Sequence, residues 1–159
     1  MFKFLTFLSL ALAALAMTDV AATAGAAPAP TYDQTALASI KSGKHDCPNC
    51  VLTGADLTNT CVKSGNVQGA KFDNAKLVLM CMSYANFTGA SFRGADMAGA
   101  NLAHAIVDGA DFTGATLSIT SIKGTDMRRA LGLTQAQLDK ACGDADTKVP
   151  TGMKVHTCS

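Results

Sequence analysis

The sequence contains no glutamate and no tryptophan, and its aromatic residues are seven Phe and two Tyr. All twelve acidic residues are therefore aspartate, which favours turns over helix surfaces. The formal net charge is +1, and the charges alternate in sign without forming runs. These absences argue against a mainly helical protein. They also give no electrostatic reason to expect binding to nucleic acid or to a membrane surface. The length of 159 residues is typical of one domain.

Long apolar runs are scarce, and the main one lies at the start of the chain. It extends from Phe4 to Met17, follows Lys3, and is followed by Ala-x-Ala sites between Ala22 and Ala26. This arrangement is typical of a secretory signal peptide, and the run is shorter than the roughly 20 residues that cross a bilayer. We assign residues 1–26 to a signal peptide, with cleavage after one of residues 24 to 27. The sequence thus predicts an exported protein, either periplasmic or secreted.

The rest of the chain repeats every five residues. A large apolar residue occupies sixteen consecutive positions at this spacing. These centres are Leu52, Leu57, Val62, Val67, Phe72, Leu77, Met82, Phe87, Phe92, Met97, Leu102, Val107, Phe112, Leu117, Ile122 and Met127. Two residues before ten of the sixteen centres stands an alanine, and only Met80 is bulky at that position.

A period of five excludes both common elements. A helix would rotate each apolar position by about 140° from the last, and a straight strand would send successive ones to opposite faces. Each pentapeptide is therefore predicted to form one short side and one corner of a coil, with the large and small residues inside. Two residues after the centre, at every fourth repeat, Gly or Asn occupies seven of the eight positions in the columns Gly54, Asn74, Gly94, Gly114 and Gly69, Gly89, Gly109, Arg129. These residues tolerate a left-handed turn, so the pattern predicts four sides per coil and four coils over residues 50–129.

The repeats resemble the pentapeptide-repeat family, whose unit is commonly written A-(D/N)-L-x-x. The units are ADLTN at 55–59, ANFTG at 85–89, ADMAG at 95–99, ANLAH at 100–104 and ADFTG at 110–114. The resemblance implies an all-β solenoid, a right-handed quadrilateral β-helix with short parallel ladders. The outward positions of such a coil offer a convex surface of isolated Asp, Asn, Ser and Thr, so we expect a scaffold that binds proteins or has a structural role, with no catalytic residues, metal or cofactor. Some family members mimic DNA and bind type II topoisomerases through a strongly acidic surface, but in this chain Asp56, Lys76 and Asp96 would stack with alternating charge.

The open ends of a solenoid need covering. Residues 27–49 are predicted to form a linker and a capping helix, the helix lying within Thr31 to Ser42. Residues 130–159 are predicted to form a helical cap and a disulfide-tied tail. There Thr134 would cap a helix from Gln135 to about Cys142 that buries Leu133 and Leu138.

Six cysteines in an exported chain predict disulfides. In the coil scheme Cys61 and Cys81 stack on adjacent coils about 4.8 Å apart, within the range that a disulfide accepts. We also expect the pairs Cys142 with Cys158 and Cys47 with Cys50. A zinc site using Cys47 and Cys50 with His45 or Cys61 is the alternative, as is a redox role for the Cys47–Cys50 pair. His45, His104 and His156 lie too far apart in the scheme to share a metal.

One edge of the solenoid is a candidate interaction surface for a partner protein or a second copy of the chain. Its residues are Val78, Leu79, Tyr84, His104 and Ile119. A solenoid has no structural need for bulky residues at corners where its other repeats use Gly, and adjoining exposed apolar groups mark interaction surfaces. The alternative is that Met80 distorts the second coil and that these residues fold over it as local packing.

Overall fold

The structure is a computed structural model that describes residues 31–158. The signal peptide predicted for residues 1–26 lies outside the described residues. Within them, the helices are α1 at Gln34–Lys41 and α2 at Gln135–Leu138. No described helix is long and apolar enough to cross a membrane.

Between the two helices the chain winds in a regular coil held by parallel bridges. From Val51–Lys71 to Asp111–Leu131, every bridge joins residues 20 apart, so 20 residues complete one turn. Four columns of bridges define the sides of the coil. Side 1 contains Val51, Lys71, Ser91, Asp111 and Leu131; side 2 contains Asp56, Lys76, Asp96 and Thr116; side 3 contains Cys61, Cys81, Asn101, Ser121 and Cys142; side 4 contains Asn66, Asn86, Ile106, Asp126 and Lys148. Each side is so short that the described residues include no longer strand.

The core follows from the five-residue period. All sixteen predicted centres are buried, each with at most 1% of its surface exposed. Phe72, Phe92 and Phe112 form a stacked column with ring centroids 5.3 and 5.1 Å apart. The alanines lie inside with them, and Thr120 and Thr125 replace alanine by donating their buried hydroxyls to the carbonyls of Met97 and Leu102 at 2.8 Å.

Helix α1 covers the first turn of the coil. Asp33 caps it by accepting hydrogen bonds from the N–H groups of Thr35 and Ala36, and the helix buries Leu37 and Ile40. The Asp33 N–H donates to the Val51 carbonyl at 2.8 Å, which ties the helix to side 1. The cap therefore satisfies polar groups as well as covering the apolar end of the core.

Helix α2 is shorter than the sequence predicted. It ends at Leu138 because Cys142 joins side 3, where it pairs with Ser121 instead of continuing the helix. Thr134 and Gln137 form a capping box, as the Thr134 prediction anticipated, and Leu133 and Leu138 are buried. The Gln137 amide also donates to the carbonyls of Phe112 and Ala115 at 2.8 Å, so one side chain satisfies two acceptors at the end of the coil.

Candidate interaction surface on side 3

Every corner between Asn49 and Gly124 has a left-handed backbone, with φ between 51 and 71°. The Gly and Asn columns indicated this conformation at only two of the four corners in each turn. The other two corners adopt it as well, because the ladder requires the same turn there. The Leu79 N–H donates to the Ala98 carbonyl at 2.9 Å, just as the Gly89 N–H donates to the Asp108 carbonyl at 2.9 Å.

Four bulky residues hold this conformation at the corners before and after side 3. Their φ angles are 56° at Leu79, 60° at Tyr84, 56° at His104 and 51° at Ile119. A left-handed turn costs a residue with a Cβ about 1 to 2 kcal/mol, and a β-branched residue such as Ile119 is an unusual occupant. Burial does not offset this cost, because Leu79 and Tyr84 are each 56% exposed and Ile119 is 71% exposed.

The exposed side chains form two ridges along the coil axis. On the corner before side 3, Leu79 and Ile119 both lean over Gly99, whose missing Cβ leaves room for the Leu79 Cδ2. On the corner after side 3, the rings of Tyr84 and His104 stack with centroids 5.0 Å apart, and His104 covers Gly124. Sequence reasoning did not identify Gly99 and Gly124 as members of these ridges, although their place 20 residues from Leu79 and His104 was a usable signal.

Met80 lies in register inside the core. It is fully buried, its N–H donates to the Leu77 carbonyl at 3.1 Å, and its carbonyl accepts from the Asn101 N–H at 2.9 Å. The second turn of the coil is thus continuous around Met80, and Leu79 points outward beside it. Val78 is half-buried on side 2, next to the Leu79 ridge.

The two ridges and the side between them are called here the side-3 surface, comprising residues 59–64, 79–84, 99–104 and 119–124. None of these residues is acidic, and Lys63 and Lys123 are the lysines among them. Apart from Lys63 and Lys123, the outward positions between the ridges carry short side chains, among them Cys81, Asn101, Ala103 and Ser121. The side-3 surface therefore has a weakly basic floor between two ridges. The apolar ridge consists of Leu79 and Ile119, and the aromatic ridge consists of Tyr84 and His104.

Aspartates occupy the other three sides, where several of them accept hydrogen bonds from backbone N–H groups of the corners. Asp56, Asp96 and Asp126 each accept a hydrogen bond from the backbone N–H two residues later. Such local bonds stabilise the turn, and the hydrogen bonds to Thr58 lower the pKa of Asp56. Asp56, Lys76 and Asp96 stack on side 2 as expected. On side 1, Arg93 Nη1 binds Asp111 Oδ2 at 2.9 Å.

The structure joins the six cysteines in three pairs, and they are the pairs expected from the sequence. They are Cys47 with Cys50, Cys61 with Cys81 and Cys142 with Cys158. The Cys61–Cys81 bond links two turns on the floor of the side-3 surface, with the Cα atoms 4.4 Å apart. Within residues 31–158, no three His, Cys, Asp or Glu side chains lie close enough together to hold a metal ion.

A groove of about 720 Å³ lies on side 4, beyond the aromatic ridge. It extends from His104 past Ile106 to two arginines that are already paired: Arg128 binds Asp126 at 2.6 Å, and Arg129 Nε lies 3.0 Å from Asp108 Oδ1. The Arg129 contact is a charge contact, because its geometry does not meet that of a hydrogen bond. The two arginines and the two aspartates that line the groove sum to zero formal charge, so the side-3 surface is the stronger candidate.

Comparison with known proteins identifies the repeat. The family model described as pentapeptide repeats matches residues 81–118 and 95–131, and no curated protein matches the chain. Among solved structures, the chain is similar to HetL, a pentapeptide repeat protein involved in heterocyst differentiation regulation from the cyanobacterium Nostoc sp. strain PCC 7120. The two are 23% identical over 70% of this chain, with a TM-score of 0.54. The match covers 51% of HetL, so the chain spans about half of that protein.

Two further solved structures are more distant. Rfr23 from the cyanobacterium Cyanothece 51142 is 20% identical, with 72% of this chain and 97% of that chain covered and a TM-score of 0.40. QnrB1, a plasmid-mediated fluoroquinolone resistance protein, is 17% identical, with 70% and 79% covered and a TM-score of 0.45. The repeats and the likeness to HetL imply a right-handed quadrilateral β-helix. The family match covers residues 81–131, and the five-residue register continues unbroken from Leu52 to Met127, so the repeat region of this chain consists of pentapeptide repeats.

Proposed function

We propose that this protein is an exported, non-enzymatic scaffold that binds another protein through the side-3 surface, with Leu79, Tyr84, His104 and Ile119 as its ridges and Val78 beside them. Its repeat region would form about four coils of a right-handed quadrilateral β-helix. Export is inferred from the signal-peptide pattern of residues 1–26 and fits the three disulfides. Repeat proteins commonly bind through such extended faces.

One observation carries the proposal: four bulky residues with left-handed backbones expose their side chains at corners where the other repeats carry glycine, asparagine or serine. Backbone strain at residues whose side chains stay more than half exposed points to a role outside the fold. The alternative of local packing over a distorted coil has little support, because the ladder around Met80 is continuous and Leu79 is 56% exposed. Asp56, Asp96 and Asp126 fit a non-enzymatic role, since Oδ1 of each accepts a hydrogen bond from the backbone of its own corner.

The test is the double substitution Leu79→Ser and Tyr84→Ser. We expect loss of partner capture from the exported fraction with an unchanged melting temperature, because both side chains are exposed. The matched control is Asn49→Ser with Asn74→Ser, which changes two other non-glycine corners with φ of 58 and 55°. A large drop in stability with capture intact would show that the ridges serve the fold and not a partner.

A further inference from the structure

The charge of the side-3 surface restricts what can lie on it, and this step rests on the proposed function. Twelve aspartates are present in the chain, yet none falls within residues 59–64, 79–84, 99–104 or 119–124. Lys63 and Lys123 stand on the same side three turns apart. At the foot of the apolar ridge, the Ile119 N–H donates to the Lys140 carbonyl. This contact places a third lysine, Lys140, which is exposed, at that end of the surface. The surface thus has basic groups at both ends of its floor.

One carboxylate, that of Asp144, lies at the foot of the aromatic ridge, outside the floor between the ridges. Asp144 accepts hydrogen bonds from the N–H groups of Gly124 and Asp146 and from the Thr147 hydroxyl. These bonds hold Oδ1 in the turn of the tail and lower the pKa of Asp144, so this carboxylate stays charged at the end of the aromatic ridge. Asp56 and Asp96 lie on side 2 and Asp108 lies on side 4, in each case beyond a ridge.

A second copy of the chain fits this surface poorly. A two-fold interface places the same patch on both subunits. In one orientation Lys63 would face Lys123 of the other subunit, and in the reverse orientation each lysine would face its equivalent. No carboxylate of either patch would be available to pair with them. Like charges that face each other in an interface are destabilising.

The size of the surface favours a short segment over a folded domain. Three turn spacings of ~4.8 Å separate the ends, and a side is about 10 Å wide at ~3.3 Å per extended residue. The floor is therefore on the order of 150 Å², well below the ~800 Å² per partner of a standard interface. An extended peptide advances ~3.4 Å per residue, so four residues span the ~14 Å between the levels of Lys63 and Lys123.

We infer that the side-3 surface binds an extended acidic segment of a partner protein. Two carboxylates four residues apart pair with Lys63 and Lys123, and the apolar residue midway between them, which lies on the same face of an extended chain, packs between the Leu79–Ile119 ridge and the Tyr84–His104 ridge. Binding of the segment then depends on the sign of its end charges and on its apolar residues.

The experiment measures binding of labelled peptides to the purified exported protein by fluorescence anisotropy. The probe has the core Glu-Leu-Tyr-Leu-Glu, and the matched probes are Lys-Leu-Tyr-Leu-Lys and Glu-Ser-Gly-Ser-Glu. We expect the first probe to bind at least tenfold more tightly than either matched probe. Its binding should also weaken between 0.05 and 0.5 M salt, because exposed charge pairs are screened.

Variants locate the binding. Lys63→Glu with Lys123→Glu should weaken the acidic apolar probe at least tenfold. The control Lys71→Glu with Lys148→Glu makes the same charge change on sides 1 and 4 and should alter binding less than twofold. Equal binding of the acidic and basic probes, or equal effects of the two double variants, would overturn the inference.

The two proposals fail separately. Suppose that Leu79→Ser with Tyr84→Ser abolishes partner capture, while Lys63→Glu with Lys123→Glu changes neither probe binding nor capture. The inference of an acidic segment would then be wrong, and the proposal that the side-3 surface binds a partner would be supported. If the Leu79 and Tyr84 changes leave capture intact, the proposed function itself is wrong. Concentration-dependent self-association that Leu79→Ser with Tyr84→Ser abolishes would assign the surface to a second copy and overturn the inference.

Discussion

The corners flanking side 3 and the corners flanking side 1 share one backbone conformation but carry different side chains. Beside side 1 the residues with positive φ are mainly glycines, such as Gly54, Gly94 and Gly114, whereas beside side 3 they include Leu79, Tyr84, His104 and Ile119. The hydrogen bonds are the same, since the N–H groups of Gly94 and Ile119 donate across the ladder at 2.9 and 2.8 Å. The ladder and the core thus impose the corner, and the corner residue is free to serve something else at a modest cost.

The largest expected effect tests whether the core, and not the corners, holds the fold. Phe92 stacks between Phe72 and Phe112 and is fully buried. Phe92→Ala should lower the free energy of unfolding by about 3 to 5 kcal/mol, because it removes apolar contacts and leaves a cavity. Denaturant titration followed by circular dichroism measures this change.

The matched control for the core is Asp96→Ala on the outside of the same turn. Its effect should stay near or below about 1 kcal/mol, because Asp96 is exposed and serves one local hydrogen bond. Similar losses for Phe92→Ala and Asp96→Ala would contradict the assignment of inside and outside positions.

An effect of intermediate size compares the two kinds of corner by exchanging their residues. Gly109 has φ of 66° and open space around a Cβ, so Gly109→Leu should cost about 1 to 2 kcal/mol through backbone strain alone. The reverse exchange, Ile119→Gly, relieves similar strain but gives the unfolded chain about 0.4 to 1 kcal/mol of extra entropy. It should therefore leave stability unchanged or slightly raised, as measured by denaturant midpoints.

Ile106→Gly controls for the loss of an exposed isoleucine. Ile106 is 52% exposed on side 4 and pairs with Asn86 and Asp126 within the ladder, where glycine is unfavourable. This change should destabilise the protein by roughly 0.5 to 1 kcal/mol. Should Ile119→Gly be as harmful as Ile106→Gly, Ile119 would be a structural residue and the contrast between the corners would disappear.

The sequence predicted the features that repeat, because a strict period leaves one consistent geometry. It placed the sixteen centres in the core, the 20-residue turn, the three cysteine pairs and the burial of Leu133 and Leu138. It indicated the left-handed conformation only at the corners occupied by Gly and Asn. At Leu79 and Ile119 the ladder overrides the local preference of the residue, so the sequence carries no sign of this conformation there. The end of α2 at Leu138 could not be predicted from the sequence, because it depends on the tertiary contact between Cys142 and Ser121. The domain boundaries and the export of the chain stay predictions.

The charge on side 3 could have been found from the sequence. Stacking residues 20 apart shows that the column of Cys61, Cys81, Asn101 and Ser121 and its flanking corners lack aspartate. The exposure of the ridges could not be found in this way. Whether Leu79 turns outward or folds over Met80 depends on how the core accepts Met80, which requires packed side chains.

The smallest expected effect concerns side 4, where Arg129 ends a column of glycine corners and paired charges surround the last turn. The Arg128 guanidinium, hydrogen-bonded to Asp126, lowers the pKa of that carboxyl from 3.8 to about 2. A carboxyl with a lowered pKa stabilises the folded state above the unfolded pKa, and that contribution is lost as the pH falls from about 4 towards 2. Asp126→Asn should therefore be slightly less stable than the parent at neutral pH and equal to it near pH 2. The difference should be small because the pair is exposed and screened by salt. The comparison is made by thermal melts at pH 7, 4 and 2, with Asp146→Asn as a control at an exposed aspartate of the tail. A gap between Asp126→Asn and the parent that widened towards pH 2 would show that this pair does not act through the carboxylate charge.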